Sequence, residues 1–296
     1  MHRSAGFVAG ISLWLQACSG VAPLPPKAVA LNRAGAEALA RGDLETADAR
    51  LSLALEYSPR FVEALVNQGL VELQRGNFDR ARELLLRARR LNEDVAQPHH
   101  ALGVLAEREA RPDLASRHYH DALAVDPGFE PARANLARLL FDAGMLEEAL
   151  VQYRRLAEAA PSSPEPAVGL AEALLRLGRV EEAEAIIRKA RERFPEVPEL
   201  AVLAARSLLR QGQLEDAVRL LTPLAYGRDE VAASALSWLA TAELLRGQPR
   251  LAVGAAERAL ALQPDSPVAS YVMAQAFEAL GDPAALGWQR RARQRH

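Results

Sequence analysis

Few residues in this chain have reactive side chains, and their spacing limits what they can do. The single cysteine, Cys18, sits in the stretch Ser12 to Gly20, SLWLQACSG. One cysteine forbids an internal disulfide and a multi-cysteine metal site, leaving a free thiol, half of an intermolecular bridge or a covalent attachment point. Four of the six histidines fall close together, at His99, His100, His118 and His120. Neighbours on a helix point about 100° apart, and residues two apart face nearly opposite sides, so neither spacing makes a bidentate helical pair. One histidine from each of two helices can still meet, but no Asp or Glu is clearly placed to complete a site. The histidines therefore read as packed or solvated side chains, and no metal is expected. Glu147-Glu148 and Glu181-Glu182 recur at equivalent places and suit the positive ends of helices better than an acid/base pair. The chain contains no P-loop, dinucleotide glycine fingerprint or nucleophile elbow, so neither catalysis nor a cofactor is expected.

Composition narrows the fold. Half the residues are hydrophobic but only 5% are aromatic, and Ala and Leu supply most of the apolar content. With abundant Arg and Glu, this mixture favours helices over strands. A net charge of −2 gives no field to draw nucleic acid.

Glycines recur at Gly42, Gly76, Gly144, Gly178, Gly212, Gly247 and Gly281. The period is 34 residues, with Ala110 in the vacant slot and one extra residue before Gly247. Units counted from 14 residues before that slot start near 28, 62, 96, 130, 164, 198, 233 and 267. Position 8 is then always small (Gly35, Gly69, Gly103, Ala137, Ala171, Ala205, Ala240, Ala274), as is position 20 from Ala47 to Ala252. Position 32 is proline at Pro59, Pro127, Pro161, Pro195 and Pro264. Glycine closes a first helix, small residues let two helices approach, and proline stops the second. One such unit cannot bury its apolar face, but a stack can. In the sixth unit Pro223 interrupts the second helix and an insertion follows, either a bend near residues 223–232 or a tolerated surface insertion. A short, basic last helix after Pro283 reads as a cap.

This pattern resembles the tetratricopeptide repeat family over residues 28–296. The resemblance implies an all-α, right-handed α-solenoid of seven to eight helix-turn-helix repeats. It further implies that the first helices line a concave groove for a peptide or helix of a protein partner. On the family's groove positions stand Val66, Leu70, His100, Arg108, Arg138, Phe141, Glu172, Arg176, Arg206 and Arg210. The arginines among them suggest a basic middle stretch for an acidic or extended peptide. Asn67 and Asn135 occupy a clamp-like position 6, but the groove has no lysine, so the carboxylate-clamp mode of chaperone-binding members is not expected.

Near the start, Arg3 precedes an apolar run of about 13 residues, Ala5 to Ala17, shorter than the roughly 20 a spanning helix needs. Leu15-Gln16-Ala17-Cys18 resembles the bacterial lipobox. That resemblance implies a signal peptide at 1–17, lipidation of Cys18 and a proline-rich linker over 18–27. Ser19 points to the outer membrane, periplasmic face. Tetratricopeptide lipoproteins of this size are similar to assembly factors of type IV or Flp pili, secretins and gliding-motility machines. The alternatives are an adaptor recruiting peptidoglycan hydrolases or proteases, or a cytosolic scaffold if the chain is not exported.

Overall fold

The computed structural model describes residues 23–293; the lipobox-like segment with Cys18 lies outside them. Among the described residues there are sixteen helices and no strand, an all-α solenoid. The helices fall into two compact units, one ending at Asn92 and one beginning at Glu93.

The first unit contains α1 (Pro26–Ala40), α2 (Leu44–Tyr57), α3 (Val62–Gln74) and α4 (Phe78–Leu91). Proline suits the first helical turn, where its missing N–H is no loss. α1 therefore opens on Pro26, and the expected linker gives up Pro26 and Lys27 to the helix. Ala28, Leu51, Ala54, Phe61 and Val71 form the shared core of α1 to α3.

The second unit begins with α5 (Ala96–Arg108), α6 (Pro112–Val125), α7 (Glu130–Asp142), α8 (Leu146–Ala159), α9 (Glu165–Arg176) and α10 (Val180–Arg193). It continues with α11 (Pro198–Arg210), α12 (Leu214–Leu224), α13 (Glu230–Leu245), α14 (Pro249–Leu262), α15 (Pro267–Ala279) and α16 (Ala285–Arg293). From α5 to α16 each helix packs on the next, and the first helices from α7 to α15 also touch in series. The apolar core is handed on along the chain: α8 gives Ala149 to one cluster and Leu150 to the next.

Turn chemistry follows the period. All seven slot glycines have φ between 68° and 82°, and the exception, Ala110, sits at 56°. The chain then closes with bonds such as Asp43 N–H to the Ala38 carbonyl at 3.0 Å, which caps the first helix. Arg111 N–H makes the same bond to Ala106 at 2.9 Å, so the third turn keeps its shape despite its alanine. The position-20 alanines from Ala47 to Ala252 are fully buried at the helix crossings.

The sixth repeat departs from the expected boundary. α13 begins at Glu230, not near 233, because the Asp229 carboxylate accepts a 2.8 Å bond from Ala232 N–H and caps the helix early. Pro223 lies in the last turn of α12, which ends at Leu224. Core packing continues past it: Ala217 and Leu221 of α12 share a cluster with Ala235 and Ala242 of α13. At the far end, Trp288 of α16 packs against the cluster that holds Val272 and Met273.

Candidate functional site

Position 8 governs how close a second helix can come. At Gly103 an added Cβ would lie 2.4 Å from Tyr119 Cε1, so the glycine is what admits the fully buried Tyr119 ring. The fourth unit has Ala137 at this position, and its Tyr153 packs instead on Gly169 of α9, where an added Cβ would also lie 2.4 Å from the ring. Tyr119 delivers its hydroxyl to the face made by the first helices. There it donates to Glu107 and lies 3.4 Å from Asn135 Nδ2. Burial, together with the Glu107 hydrogen bond, pushes the Tyr119 phenol well above its usual range. Asn135 Nδ2 also stands 3.0 Å from His100 Nε2, and the His100 ring packs edge-on against Phe129. Burial lowers the His100 pKa, opposed by the Glu107 charge.

From this centre a ladder of side chains runs across the first helices of the second unit. Arg138 of α7 bridges Glu107 of α5 and, at 3.1 Å, Asp142. The guanidinium of Arg176 on α9 lies 4.6 Å from the centre of the Phe141 ring on α7. Arg206 of α11 pairs with Glu172 of α9 and stacks 4.6 Å over Trp238 of α13. The expected basic stretch is thus largely compensated in place. Arg138 and Arg206 each have a carboxylate from the preceding first helix, and Arg176 rests on an aromatic face. Arg108 and Arg210 are exposed and make no ion pair among the described residues.

Beside the ladder are two open depressions. One, of about 630 Å³, includes Ala134, Arg138, Tyr153, Leu156, Pro166 and Val168. The other, about 220 Å³, has Val168, Val202 and Val231 between Glu172, Glu199 and Arg206. Apolar floors with rims of both signs suit an amphipathic segment better than a purely acidic one.

In the first unit Val66, expected on the groove, is only 6% exposed and packs inward. Leu70 is half-buried against the same core. The polar chemistry here is partly buried: Asn67 Nδ2 donates to the buried Asn32 at 2.9 Å, and Asn32 in turn donates to Glu63 at 3.3 Å. Tyr119 and Trp238 are absent from the sequence-derived set. Trp238 occupies the same position 6 as Asn67 and Asn135, and Tyr119 stands at the position opposite a glycine. Both were visible as columns of the repeat.

The histidine cluster also differs from expectation. His99 of α5 and His118 of α6 do meet, and the acid that spacing along the histidines alone did not supply is Asp121, three residues beyond His118.

Sixteen paired helices with glycine-closed turns define a repeat scaffold of the protein-interaction class. Profiles of the tetratricopeptide repeat match residues 32–96, 202–267 and 239–295, and a second such profile matches 106–165 and 140–198. The chain belongs to the tetratricopeptide repeat family. Among named proteins, it is 36% identical over 98 residues to the type IV pilus assembly protein PilF of Pseudomonas aeruginosa. That match spans 33% of this chain and 38% of the length of PilF. The solved structure of P. aeruginosa PilF superposes with a TM-score of 0.56 at 22% identity, over 72% of this chain and 97% of that one. PilW, a type IV pilus biogenesis factor, gives 0.60 at 21% identity over 72% of this chain and 99% of PilW. The Cut9–Hcn1 assembly of APC/C gives 0.62 at 16% identity, covering 84% of this chain and 49% of the other. These structural likenesses concern the fold.

Proposed function

We propose that this chain is a lipid-tethered scaffold that holds protein partners while a cell-envelope machine of the type IV pilus class is assembled. The observation that carries the reading is the 36% identity to PilF within a tetratricopeptide array. The sequence Leu15-Gln16-Ala17-Cys18 supports an anchor at Cys18, with the array facing the periplasm from the outer membrane. Several acyl chains hold a protein durably where one is marginal. Among the described residues, no helix is long and apolar enough to cross a membrane. The partner segment lies on the first-helix face of the second unit. Its apolar side chains fill the Val168–Val202–Val231 depression, and its polar groups meet Arg108, Arg176 and Arg210.

The test starts with intact mass and membrane fractionation in the native host, beside Cys18→Ser. The reading expects an acylated N-terminus at Cys18 and release of the variant from membranes. Crosslinking followed by capture should then return secretin or pilus components, with yield falling in Val231→Glu, at the partly buried edge of the same depression. An unprocessed chain in the cytosol refutes the tether. Capture of cell-wall hydrolases in place of pilus parts refutes the choice of machine.

A further inference from the structure

The structure brings two imidazoles and one carboxylate to a common point on α5 and α6, away from the ladder. His99 Nδ1 lies 3.8 Å from Asp121 Oδ2, and His118 Nδ1 lies 3.7 Å from the same oxygen. One donor atom from each of the three residues falls within 4.8 Å of the others. The rings are enclosed, with side chains 13% and 15% exposed, while Asp121 stands at the mouth at 53%. His99 Nδ1 is buried and has no hydrogen-bond partner, an uncommon state for a buried polar atom. Bonds of about 2.0–2.2 Å in a tetrahedron hold ligand atoms roughly 3.3–3.5 Å apart, so small rotations about the side-chain bonds close the set. His118 and Asp121 share a helix face at i, i+3, and His99 arrives from the antiparallel neighbour.

We propose that His99, His118 and Asp121 bind a divalent transition metal, zinc by preference, through two imidazole nitrogens and one carboxylate oxygen. Nitrogen and oxygen donors of this kind suit zinc, and the mixed set disfavours calcium or magnesium, which take oxygen alone. The exposed side of Asp121 leaves the fourth position to water. Bound there, the ion clamps α5 to α6 inside the third repeat. A clamp of this sort is useful where the turn between the two helices carries Ala110 instead of the glycine found in the other seven.

The full chain, purified without a histidine tag and stripped with a chelator, is titrated with Co(II) and then Zn(II). One Co(II) per chain with the visible absorption of a four-coordinate ion is expected, displaced by one equivalent of zinc. Asp121→Asn, a change at an exposed position, and His99→Ala should each weaken zinc binding at least tenfold by competition with a chromophoric chelator. His120→Ala should bind as the parent does. Far-UV circular dichroism of each stripped variant shows whether the helices remain. Failure to bind one equivalent, or binding unchanged in folded Asp121→Asn and His99→Ala, overturns the assignment.

Discussion

Gly103→Ala tests the link between a small residue in the repeat and the chemistry of the exposed face. The new Cβ would sit 2.4 Å from Tyr119 Cε1 and 2.7 Å from Cδ1, about an ångström inside ordinary contact. Tyr119 has no room to retreat, since it is fully buried and its hydroxyl is held by Glu107. Overpacking of this kind costs about 1–3 kcal/mol, and the rigid ring puts this site at the upper end. Replacing a mid-helix glycine by alanine returns about 1 kcal/mol of helix propensity. The net expectation is a loss of about 2 kcal/mol.

The repeat supplies its own control. In two units with alanine at position 8 the facing residue is smaller than tyrosine, Ile187 with Ala171 and Leu221 with Ala205, and in the fourth, with Ala137, the Tyr153 ring turns to Gly169 of the next repeat. Gly103→Ala with Tyr119→Leu should therefore recover packing that the first change alone destroys. Urea unfolding of the two single variants and the double variant gives a cycle, with a favourable coupling of about 1–2 kcal/mol expected. Strict additivity, or a Gly103→Ala variant as stable as the parent, would refute the account of why this glycine is there.

Three other outcomes follow from the same geometry. Ala110→Gly should stabilise the chain by about 0.5–1 kcal/mol by thermal or urea melts, since a left-handed alanine costs about 1–2 kcal/mol and glycine's extra unfolded freedom returns part of that. Gly178→Ala, at φ 75° with nothing within 4 Å of the added carbon, should destabilise by about 1 kcal/mol through the backbone alone. Burial lowers the His100 pKa from 6.5, so the unfolded chain takes up its proton first. That stabilisation is complete above pH 6.5 and is lost as the pH falls from there through the folded value; urea midpoints at a series of pH values should fall less steeply for His100→Gln.

The architecture was legible because its determinants are local and repeat. A glycine with positive φ, a proline two residues past a helix end and a small residue at a crossing each act within one unit, so a column of identical residues reports each directly. The boundary at Glu230 was missed because one side chain, Asp229, caps a helix ahead of the period. Val66 was placed by family analogy on the exposed face, yet its β-branched side chain packs inward. The meeting of one histidine from each helix was open in the sequence; the place of Asp121 beside them was not, because it is the i, i+3 neighbour of His118 and not of a second histidine on the same helix.

The charge state of the first-helix face was the least visible feature, although its signal was in the sequence. The pairs that compose it are separated by close to one period: Glu107 and Arg138 by 31 residues, Glu172 and Arg206 by 34, His100 and Asn135 by 35. Asn32 and Asn67, in the first unit, are likewise 35 apart. Scanning along one helix finds none of these, because the partner is the equivalent residue in the next repeat. Columns read in adjacent pairs show that an arginine usually faces an acid or an aromatic ring one unit back. Such pairs fix side chains that would otherwise lose conformational freedom on binding, which makes the face pre-organised. They also remove its net positive charge as a basis for selectivity. On the proposed function, the shape of the valine-floored depression and the exposed Arg108 and Arg210 are then the features left to select a partner. Arg206→Ala should therefore act first on the scaffold, loosening α9, α11 and α13 by about 1–2 kcal/mol through loss of the Glu172 pair and the Trp238 stack. Arg210→Ala should leave the melting temperature unchanged and weaken partner capture. If the two variants behave alike in both assays, the division between arginines that build the face and arginines that read the partner is wrong.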